Sequence, residues 1–315
     1  MDKTDKIYVA GHRGLVGSAL LRKLQELGHT NVVTRTSREL DLRRQSEVET
    51  FFQREKPDYV FLAAAKVGGI HANNTYKAEF IYDNIAIATN IINAAYLVRV
   101  KKLLNLGSSC IYPKLAPQPM KEEYLLSGFL EPTNEPYAIA KIAAIKLCRY
   151  YNEQYKTNYI SAMPTNLYGP HDNFDLENSH VLPALIRKFH EAKIAGNPTV
   201  TLWGSGEPFR EFLYIDDLAD ACIFLMQKHD YSAIGEFINV GTGSDIKIKA
   251  LAGLIKNIIG YNGEIVQDPA KPDGTPKKLL DVSRMEALGW KAKTSLEEGI
   301  RKTFDFYHRA MSVTK

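Results

Sequence analysis

The chain has 315 residues, a hydrophobic content of 45% and a charged content of 24%, all ordinary for a globular protein. Its net charge is only +4 and no basic patch is clustered along it, so the sequence excludes nucleic acid as an expected partner and fits an anionic small substrate. Three widely spaced cysteines argue against a disulfide framework and for a reducing compartment. No apolar stretch is long enough to span a bilayer, so we expect a cytoplasmic protein with no membrane partner. No His-x-x-x-His or Cys-x-x-Cys pair occurs, so no metal is expected.

Apolar runs alternate with helical patterns along the first half of the chain. Strands are predicted over 7–10, 31–35, 59–63, 102–106 and 159–163, with helices following the first glycines and over 85–100 and 136–155. This alternation predicts an α/β fold with a doubly wound parallel sheet, the Rossmann arrangement. The alternation stops after Asn166, and a further strand at 237–240 returns the chain to the sheet. We therefore predict a nucleotide-binding domain of residues 1–166 and about 236–259, and a smaller, discontinuous substrate-binding domain of about 167–235 and 260–315.

A glycine-rich loop follows the first predicted strand and opens the first helix. Its sequence is Gly11-His12-Arg13-Gly14-Leu15-Val16-Gly17. Glycines at this spacing allow the backbone to approach a pyrophosphate at a helix N-terminus, where amides and the helix dipole favour anions. Three glycines alone would indicate only a turn, but between a strand and a helix they predict dinucleotide binding.

The end of the second strand indicates which dinucleotide binds. Proteins that bind NAD usually place an acidic residue there to hold the ribose 2′-hydroxyl. This chain instead has Arg35, Ser37 and Arg38, and Arg13 lies in the glycine loop. Arginines suit a 2′-phosphate, although any one of them could be an ordinary surface charge. The sequence therefore favours NADP(H).

A Tyr-x-x-x-Lys pair and a Ser-Ser-Cys run carry the predicted chemistry. Tyr137 and Lys141 lie one helical turn apart, which places a proton donor beside a positive charge, as reduction of a carbonyl requires. Ser108, Ser109 and Cys110 follow a buried strand. If the segment is extended, Ser108 and Cys110 point to one side and Ser109 to the other. Simple reduction does not need a thiol, so Cys110 suggests that protons on carbon are also moved.

Several segments together resemble one known family. They are 11–17, 63–69, 107–113, 131–137, 164–170 and 271–274, and they span nearly the whole chain. The pattern is similar to that of the GDP-L-fucose synthases, which are extended short-chain dehydrogenases/reductases. The resemblance implies epimerisation of GDP-4-keto-6-deoxy-D-mannose at carbons 3 and 5 and reduction at carbon 4 with NADPH. It also implies a homodimer, which we expect to form through the apolar helices at 85–100 and 137–155.

The resemblance gives the catalytic residues their roles. Carbons 3 and 5 both flank the ketone, so a base on one face and an acid on the other can invert each through an enolate. Cys110 is implied as the base and His180 as the acid, and Ser179 is expected to cap the helix that starts there. Tyr137 would protonate the carbon 4 oxygen, Lys141 would lower the pKa of that tyrosine, and Ser108 would hydrogen-bond the ketone.

The resemblance also implies binding residues. Besides the glycine loop, the arginines and the Tyr137–Lys141 pair, the expected cofactor contacts are Ser37, Asp41, Leu42, Ala63, Ala64, Ala65, Leu106, Gly107, Pro164, Asn166, Leu167 and His180. The expected substrate contacts are Ser108, Ser109, Cys110, Asn166, Lys188, Trp203, Arg210 and Asp273. Helical spacing alone would place Arg187, rather than Lys188, on the face of His180. The chain departs from the family pattern at Ser37, Arg38, Asp41 and Lys188.

Other interpretations remain open from the sequence. The enzyme could reduce only carbon 4 of a related GDP-4-keto sugar, such as a heptose, with a separate epimerase acting first. A sugar dehydratase would need an acidic residue where Ser109 and Cys110 stand. A catalytically silent NADPH-binding module would be expected to have lost Ser108, Tyr137 or Lys141, and none is lost.

Overall fold

The computed structural model describes residues 1–270 and 273–313, so Lys271 and Pro272 of the segment at 271–274 lie outside the described residues. The strands are β1 (Ile7–Ala10), β2 (Val32–Val33), β3 (Tyr59–Leu62), β4 (Lys102–Leu106), β5 (Tyr159–Pro164), β6 (Asn166–Tyr168), β7 (Thr199–Trp203), β8 (Phe209–Tyr214), β9 (Ile238–Val240), β10 (Asp245–Lys247), β11 (Glu264–Asp268) and β12 (Lys277–Lys278). The helices are α1 (Leu15–Glu26), α2 (Gln45–Glu55), α3 (Ile70–Thr75), α4 (Lys77–Leu97), α5 (Glu135–Tyr155), α6 (Val181–Ala195), α7 (Ile215–Lys228), α8 (Tyr231–Ile234), α9 (Ile248–Ile259), α10 (Ser283–Ala287) and α11 (Leu296–Val313). Among these described helices, none combines the length and apolarity needed to cross a membrane.

The larger sheet has six parallel strands in the order β2-β1-β3-β4-β5-β9. Helices cover both faces, because side chains alternate along each strand. Ile7 and Val9 pack with α1 and α7, whereas Tyr8 and Ala10 pack with α2, α4 and α5. The predicted doubly wound α/β fold is confirmed.

Strands β1 and β4 have the bounds predicted from the sequence, and β3, β5, β9 and α5 differ from prediction by one residue, whereas α4 and β2 differ more. Helix α4 begins at Lys77 instead of residue 85, since Phe80 and Asn84 are buried in its first turns and the polar Asn84 obscures the apolar period. The Asn84 amide donates to the carbonyls of Phe80 and Lys66, which satisfies it inside the protein. Strand β2 is only two residues long, because β1 pairs with it through Ile7 and Tyr8 alone.

A smaller sheet forms around β8. This strand pairs with β6 and β12 in parallel and with β10 in antiparallel orientation, while β7 and β11 form a separate parallel pair. Helices α6, α9 and α11 bury a second apolar core against these strands. Strand β9 belongs to the larger sheet, whereas β10 and α9, which follow it directly, pack with the smaller one. The domain limits proposed from the sequence stay a prediction.

Candidate active site

The candidate site lies at one edge of the larger sheet, where the parallel strands β1, β3, β4 and β5 all end. Within the sheet, β2 lies next to β1 on one side and β3 lies next to β1 on the other, so the strand order reverses between β1 and β3. Ligands of open α/β sheets bind at such a reversal, outside the carboxyl ends of the strands. The segments that follow β1, β3, β4 and β5 contain most of the predicted cofactor residues.

The glycine loop after β1 is shaped by two close approaches of its backbone. Gly11 has φ +84°, and a Cβ there would lie 2.8 Å from the backbone of Ala64. A Cβ on Gly17 would lie 2.1 Å from the carbonyl oxygen of Gly11, so this turn requires glycine at both positions. Gly14 precedes α1 without a side-chain cap, which leaves the helix N-terminus able to bind an anion.

Nearby, His12 Nδ1 is buried without a hydrogen-bond partner within the protein, which suits a hydrogen bond to a bound ligand. Leu15 and Val16, in the first turn of α1, are half-buried and pack on the core beneath the loop. The loop therefore fits the pyrophosphate of a dinucleotide.

The arginines expected at the 2′-phosphate differ in their surroundings. Arg35 donates to Glu55 at 2.9 Å and to the Thr34 carbonyl at 2.7 Å, and its guanidinium lies over the Phe51 ring. By contrast, Arg13 and Arg38 have exposed side chains, as does Ser37. These two arginines are therefore better placed than Arg35 to reach a phosphate.

Asp41 and Leu42 follow this segment. Arg43 binds the Asp41 carboxylate, with Nε at 2.9 Å from Oδ1, and lowers its pKa to about 2. The Asp41 carboxylate is therefore already paired with Arg43, a residue of the protein surface. Leu42 is half-buried and packs on the core of α2 and α4, and its carbonyl accepts from Asn90.

The other predicted cofactor contacts lie along the same sheet edge. Ala63, Ala64 and Ala65 follow β3 and are half-buried. Leu106 ends β4, and Gly107 after it donates to the Ala162 carbonyl at 2.9 Å. Pro164 ends β5, Asn166 and Leu167 begin β6, and the Asn166 amide donates to the Glu211 carbonyl at 2.8 Å.

The Ser-Ser-Cys run does not continue β4 as an extended segment. Ser108 is extended, but Ser109–Ile111 form a single 3₁₀ turn, with the Cys110 amide 3.5 Å from Ser108 Oγ. The sequence predicted that the alternation of an extended segment points Ser108 and Cys110 to one side. That basis is wrong, because a 3₁₀ turn and not a strand sets the direction of the thiol. Cys110 is 8% exposed, and Ser109 is also buried.

The thiol of Cys110 lies among charged groups. Burial raises its pKa, whereas a hydrogen bond with Ser108 and the positive charges of Lys278 and Lys141 act in the opposite direction. The ordinary balance for a buried cysteine is a neutral thiol. A cation is therefore needed for this residue to act as a base.

Tyr137 and Lys141 lie in the first two turns of α5, as the spacing predicted. Lys141 is buried, its Nζ donates to the Leu106 carbonyl at 2.7 Å, and burial lowers its pKa to about 8. The ammonium lies 5.7 Å from the centre of the Tyr137 ring. The loss of hydration around the Tyr137 phenol raises its pKa, and the lowering by Lys141 that the sequence predicts stays a prediction. A protonated phenol is nevertheless the form that can donate a proton.

His180 is the residue immediately before α6. It adopts extended backbone angles and forms the N-cap position itself, without a side-chain cap bond. The expectation that Ser179 caps this helix is therefore wrong, and Ser179 Oγ is buried without a partner. His180 is exposed at the surface, yet the loss of hydration around its side chain lowers its pKa, and the charge of Lys278 lowers it further.

The side chains expected to hold the nucleotide sugar lie on α6, β7 and β8. Lys188 extends over the Trp203 ring, 4.9 Å from its centre, and donates to the Thr201 carbonyl at 3.1 Å. The neighbouring Arg187 instead binds Glu191 at 2.7 Å and the Phe174 carbonyl at 3.2 Å. Lys188, rather than Arg187, is thus the residue beside Trp203, whose ring is 46% exposed.

Arg210 and Asp273 lie close together beyond Trp203. Burial lowers the pKa of Arg210 to about 10, although the negative charge of Asp273 opposes this. Asp273 accepts from the amide of Ser205 at 2.7 Å and from its hydroxyl at 2.8 Å, which closes the turn after β7. Its carboxylate has a structural role that the sequence did not indicate.

Sequence reasoning missed two residues of this site. Lys278, on β12, is aligned with Arg210 on β8 and lines the same recess as Cys110. Glu131 lines that recess as well, and its carboxylate pairs with Lys114 at 2.9 Å. The signal for Lys278 was the pair Lys277-Lys278, which directly precedes Leu279 and Leu280 after the segment at 271–274. Among the described residues, no group of side chains could hold a metal ion.

A dinucleotide loop at the strand reversal, beside a Ser, Tyr and Lys set, defines an NAD(P)-dependent short-chain dehydrogenase/reductase. The model of the NAD dependent epimerase/dehydratase family matches residues 7–241, and the chain belongs to that family. It is 60% identical to GDP-L-fucose synthase 1 of Arabidopsis thaliana over 97% of this chain and 94% of that protein.

The chain is also 56% identical to the GDP-L-fucose synthase of Escherichia coli strain K12, over 96% of each protein. Among solved structures, a GDP-mannoheptose C4 reductase from Campylobacter jejuni with NADP bound is 43% identical, with a TM-score of 0.92 over 98% of this chain and 99% of that one. The predicted resemblance to the GDP-L-fucose synthases is confirmed.

Proposed function

We propose that the protein converts GDP-4-keto-6-deoxy-D-mannose to GDP-L-fucose with NADPH, by epimerisation at carbons 3 and 5 and reduction at carbon 4. The observation that carries this proposal is the thiol of Cys110 beside the Tyr137 and Lys141 pair. Tyr137 and Lys141 each lie close enough to Cys110 for an electrostatic interaction with its sulfur. A reductase alone has no use for this thiol, whereas an epimerase needs a base beside the ketone.

NADPH is the proposed cofactor. The glycine loop and the N-terminus of α1 would hold its pyrophosphate, and Arg13 and Arg38 would bind the 2′-phosphate. The orphaned Nδ1 of His12 and the close approach at Gly17 support this fit. When bound, NADPH supplies the hydride that reduces carbon 4.

The proposed reduction uses three side chains. Tyr137 donates its hydroxyl proton to the carbon 4 oxygen as that oxygen gains negative charge, and Ser108 donates a hydrogen bond to the same atom. Lys141 is fixed by the Leu106 carbonyl, and its positive charge stabilises the phenolate that Tyr137 leaves behind. These groups would also stabilise the enolate oxygen during epimerisation.

The proposed epimerisations use two opposed groups. The thiolate of Cys110 removes the hydrogen from carbon 3 or carbon 5, the electron pair moves onto the carbon 4 oxygen, and His180 returns a proton to the opposite face. Arg210 and Lys188 would hold the diphosphate, because guanidinium and ammonium groups pair well with phosphate oxygens. Trp203 offers an exposed ring against which the nucleotide could pack.

A second candidate is a reductase that acts only at carbon 4 of a GDP-linked heptose. The similarity to the GDP-mannoheptose C4 reductase favours it. Incubation with GDP-4-keto-6-deoxy-D-mannose and NADPH in heavy water distinguishes the two functions. We expect NADPH oxidation at 340 nm and, by NMR, GDP-L-fucose that carries deuterium at carbons 3 and 5.

The other outcomes of this experiment are equally informative. Oxidation of NADPH without deuterium in the product would favour the reductase, and no oxidation would contradict the proposed substrate. Replacement of Cys110 by Ser should abolish deuterium incorporation at both carbons. Unchanged incorporation would remove Cys110 as the base.

We further propose a homodimer that works in the cytoplasm. Helices α4 and α5 pack side by side and expose apolar side chains, among them Tyr82, Leu97 and Tyr150. A second copy could cover this surface. The three cysteines are buried and free, as suits a reducing compartment. Light scattering after size-exclusion chromatography should give twice the monomer mass of 35.4 kDa, and a mass of one chain would contradict the dimer.

A further inference from the structure

Lys278 is a cation of the recess around Cys110, and the reaction above assigns it no role. Strand β12, which contains it, runs parallel to β8, and Lys278 is aligned with Arg210. Its side chain is half-buried and lines the recess that also contains Cys110 and Glu131. The structure describes no hydrogen bond from its ammonium group, whereas Lys141 already donates to the Leu106 carbonyl.

The backbone around Lys278 is fixed from two sides. Leu279 donates its amide to Gln118 Oε1 at 2.9 Å, and Leu280 donates to the buried carboxylate of Glu211, also at 2.9 Å. Met120 and Leu279 are joined by a further backbone hydrogen bond of 2.8 Å. These bonds attach the chain after β12 to β8 and to the loop that follows Cys110, so they fix the backbone from which the Lys278 side chain extends.

The charged groups around Cys110 determine which of its forms is stable. Lys141 and Tyr137 face the thiol from α5, Ser108 from its own turn, and Lys278 from β12. Glu131 and Arg210 lie near Lys278. The charge of Lys278 also acts on His180, the residue before α6. Among these groups, Lys278 and Lys141 are the cations that favour a thiolate. They act against burial, which raises the pKa of Cys110 and lowers the pKa of both lysines.

We propose that the ammonium of Lys278 stabilises the thiolate of Cys110 against the effect of burial, and that Lys278 is thereby a positioning residue for epimerisation. This inference rests on the proposed function of Cys110 as the base. No bond to Lys278 forms or breaks, because its charge acts on the thiol through space. The same charge disfavours the imidazolium of His180.

The test measures the thiolate directly. Thiolate absorbance at 240 nm is titrated against pH in the full-length protein, and the titration of the Cys110→Ser counterpart is subtracted. A neighbouring opposite charge lowers the pKa of an acid by about 1–3 units, and we expect Lys278→Met to raise the midpoint by about one unit. Lys278→Arg keeps the charge and should restore the midpoint.

Lys277 lines the same recess, but its ammonium pairs with Asp245 at 3.1 Å, so Lys277→Met is the matched control. This control should leave the midpoint of Cys110 unchanged. If Lys278→Met fails to fold, as shown by its circular dichroism, Lys278→Gln takes its place. A midpoint that does not move in either variant would overturn the proposal, as would an equal shift in Lys277→Met.

A second readout separates this inference from the function on which it rests. Near pH 7.5, Lys278→Met should lose about 10-fold or more in deuterium exchange at carbons 3 and 5. If the midpoint shifts in Lys278→Met but the wild-type enzyme exchanges no deuterium, the effect of Lys278 on the Cys110 thiolate is supported. The proposed epimerase function is then contradicted. A shifted midpoint with full exchange in Lys278→Met would overturn the role of Lys278 in epimerisation.

Discussion

Replacement of Gly17 by Ala should damage both the fold and cofactor binding. The new Cβ would lie 2.1 Å from the Gly11 carbonyl oxygen and 2.7 Å from the His12 Cα. Both are backbone atoms, so no side-chain rotation can relieve the overlap, and the turn between β1 and α1 must open. Gly253, inside α9, has no atom within 4 Å of an added Cβ, so Gly253→Ala is the matched control.

The magnitudes follow from this geometry. Overpacking costs about 1–3 kcal/mol, and backbone overlap favours the upper end, while alanine in a helix gains at most about 1 kcal/mol over glycine. With an unfolding entropy of about 2.1 cal/mol/K per residue, 1 kcal/mol shifts the Tm of a chain this long by about 1.5 °C. Gly17→Ala should therefore lower Tm by about 2–5 °C, and Gly253→Ala should raise it by up to about 1.5 °C.

Circular dichroism during heating measures Tm, and fluorescence titration measures the Kd of NADPH. Because the displaced turn presents the amides at the N-terminus of α1, the Kd should rise at least about 10-fold, which equals about 1.4 kcal/mol. The control should leave it unchanged. If both variants had the same Tm and the same Kd, the argument from close approach would be refuted.

Two further predictions test other parts of the site, and a third tests a buried carboxyl, Asp172, in the loop between β6 and α6. Tyr137→Phe removes the proton donor and should slow reduction by about 10²–10⁴-fold in stopped-flow measurements of NADPH oxidation, so near-normal turnover would disprove its role. Arg13→Ala should narrow the preference for NADPH over NADH more than Arg35→Ala does, because Glu55 already pairs with Arg35; equal kcat/KM ratios for the two variants would contradict this. Burial raises the pKa of Asp172 to about 7 from 3.8, so the folded protein binds more protons than the unfolded chain between those values, and stability falls as pH rises through that window. Asp172→Asn should then raise Tm at pH 8 with a gain that vanishes towards pH 4, and a gain independent of pH would show that the charge is not the cause.

Much of the cofactor region could be read from the sequence because its signals are local. The glycines of the loop are adjacent to the strand and helix that they join, and Tyr137 and Lys141 belong to one helix. The roles of Cys110 and His180 came from resemblance, since they lie on separate elements and no spacing connects them. The 3₁₀ turn at Cys110 was missed because three residues carry too little periodicity to be told from the end of a strand.

The sequence by itself determined the α/β class, the dinucleotide loop and the order of the catalytic motifs, because hydrophobic period and glycine spacing depend on near neighbours along the chain. Only the tertiary structure decided which charges meet. It placed Lys278 near Cys110, although some 170 residues of chain separate them. It also paired Arg35 with Glu55 and placed Lys188, rather than Arg187, beside Trp203. Such pairings depend on strand order and register, which emerge only when distant segments pack against one another.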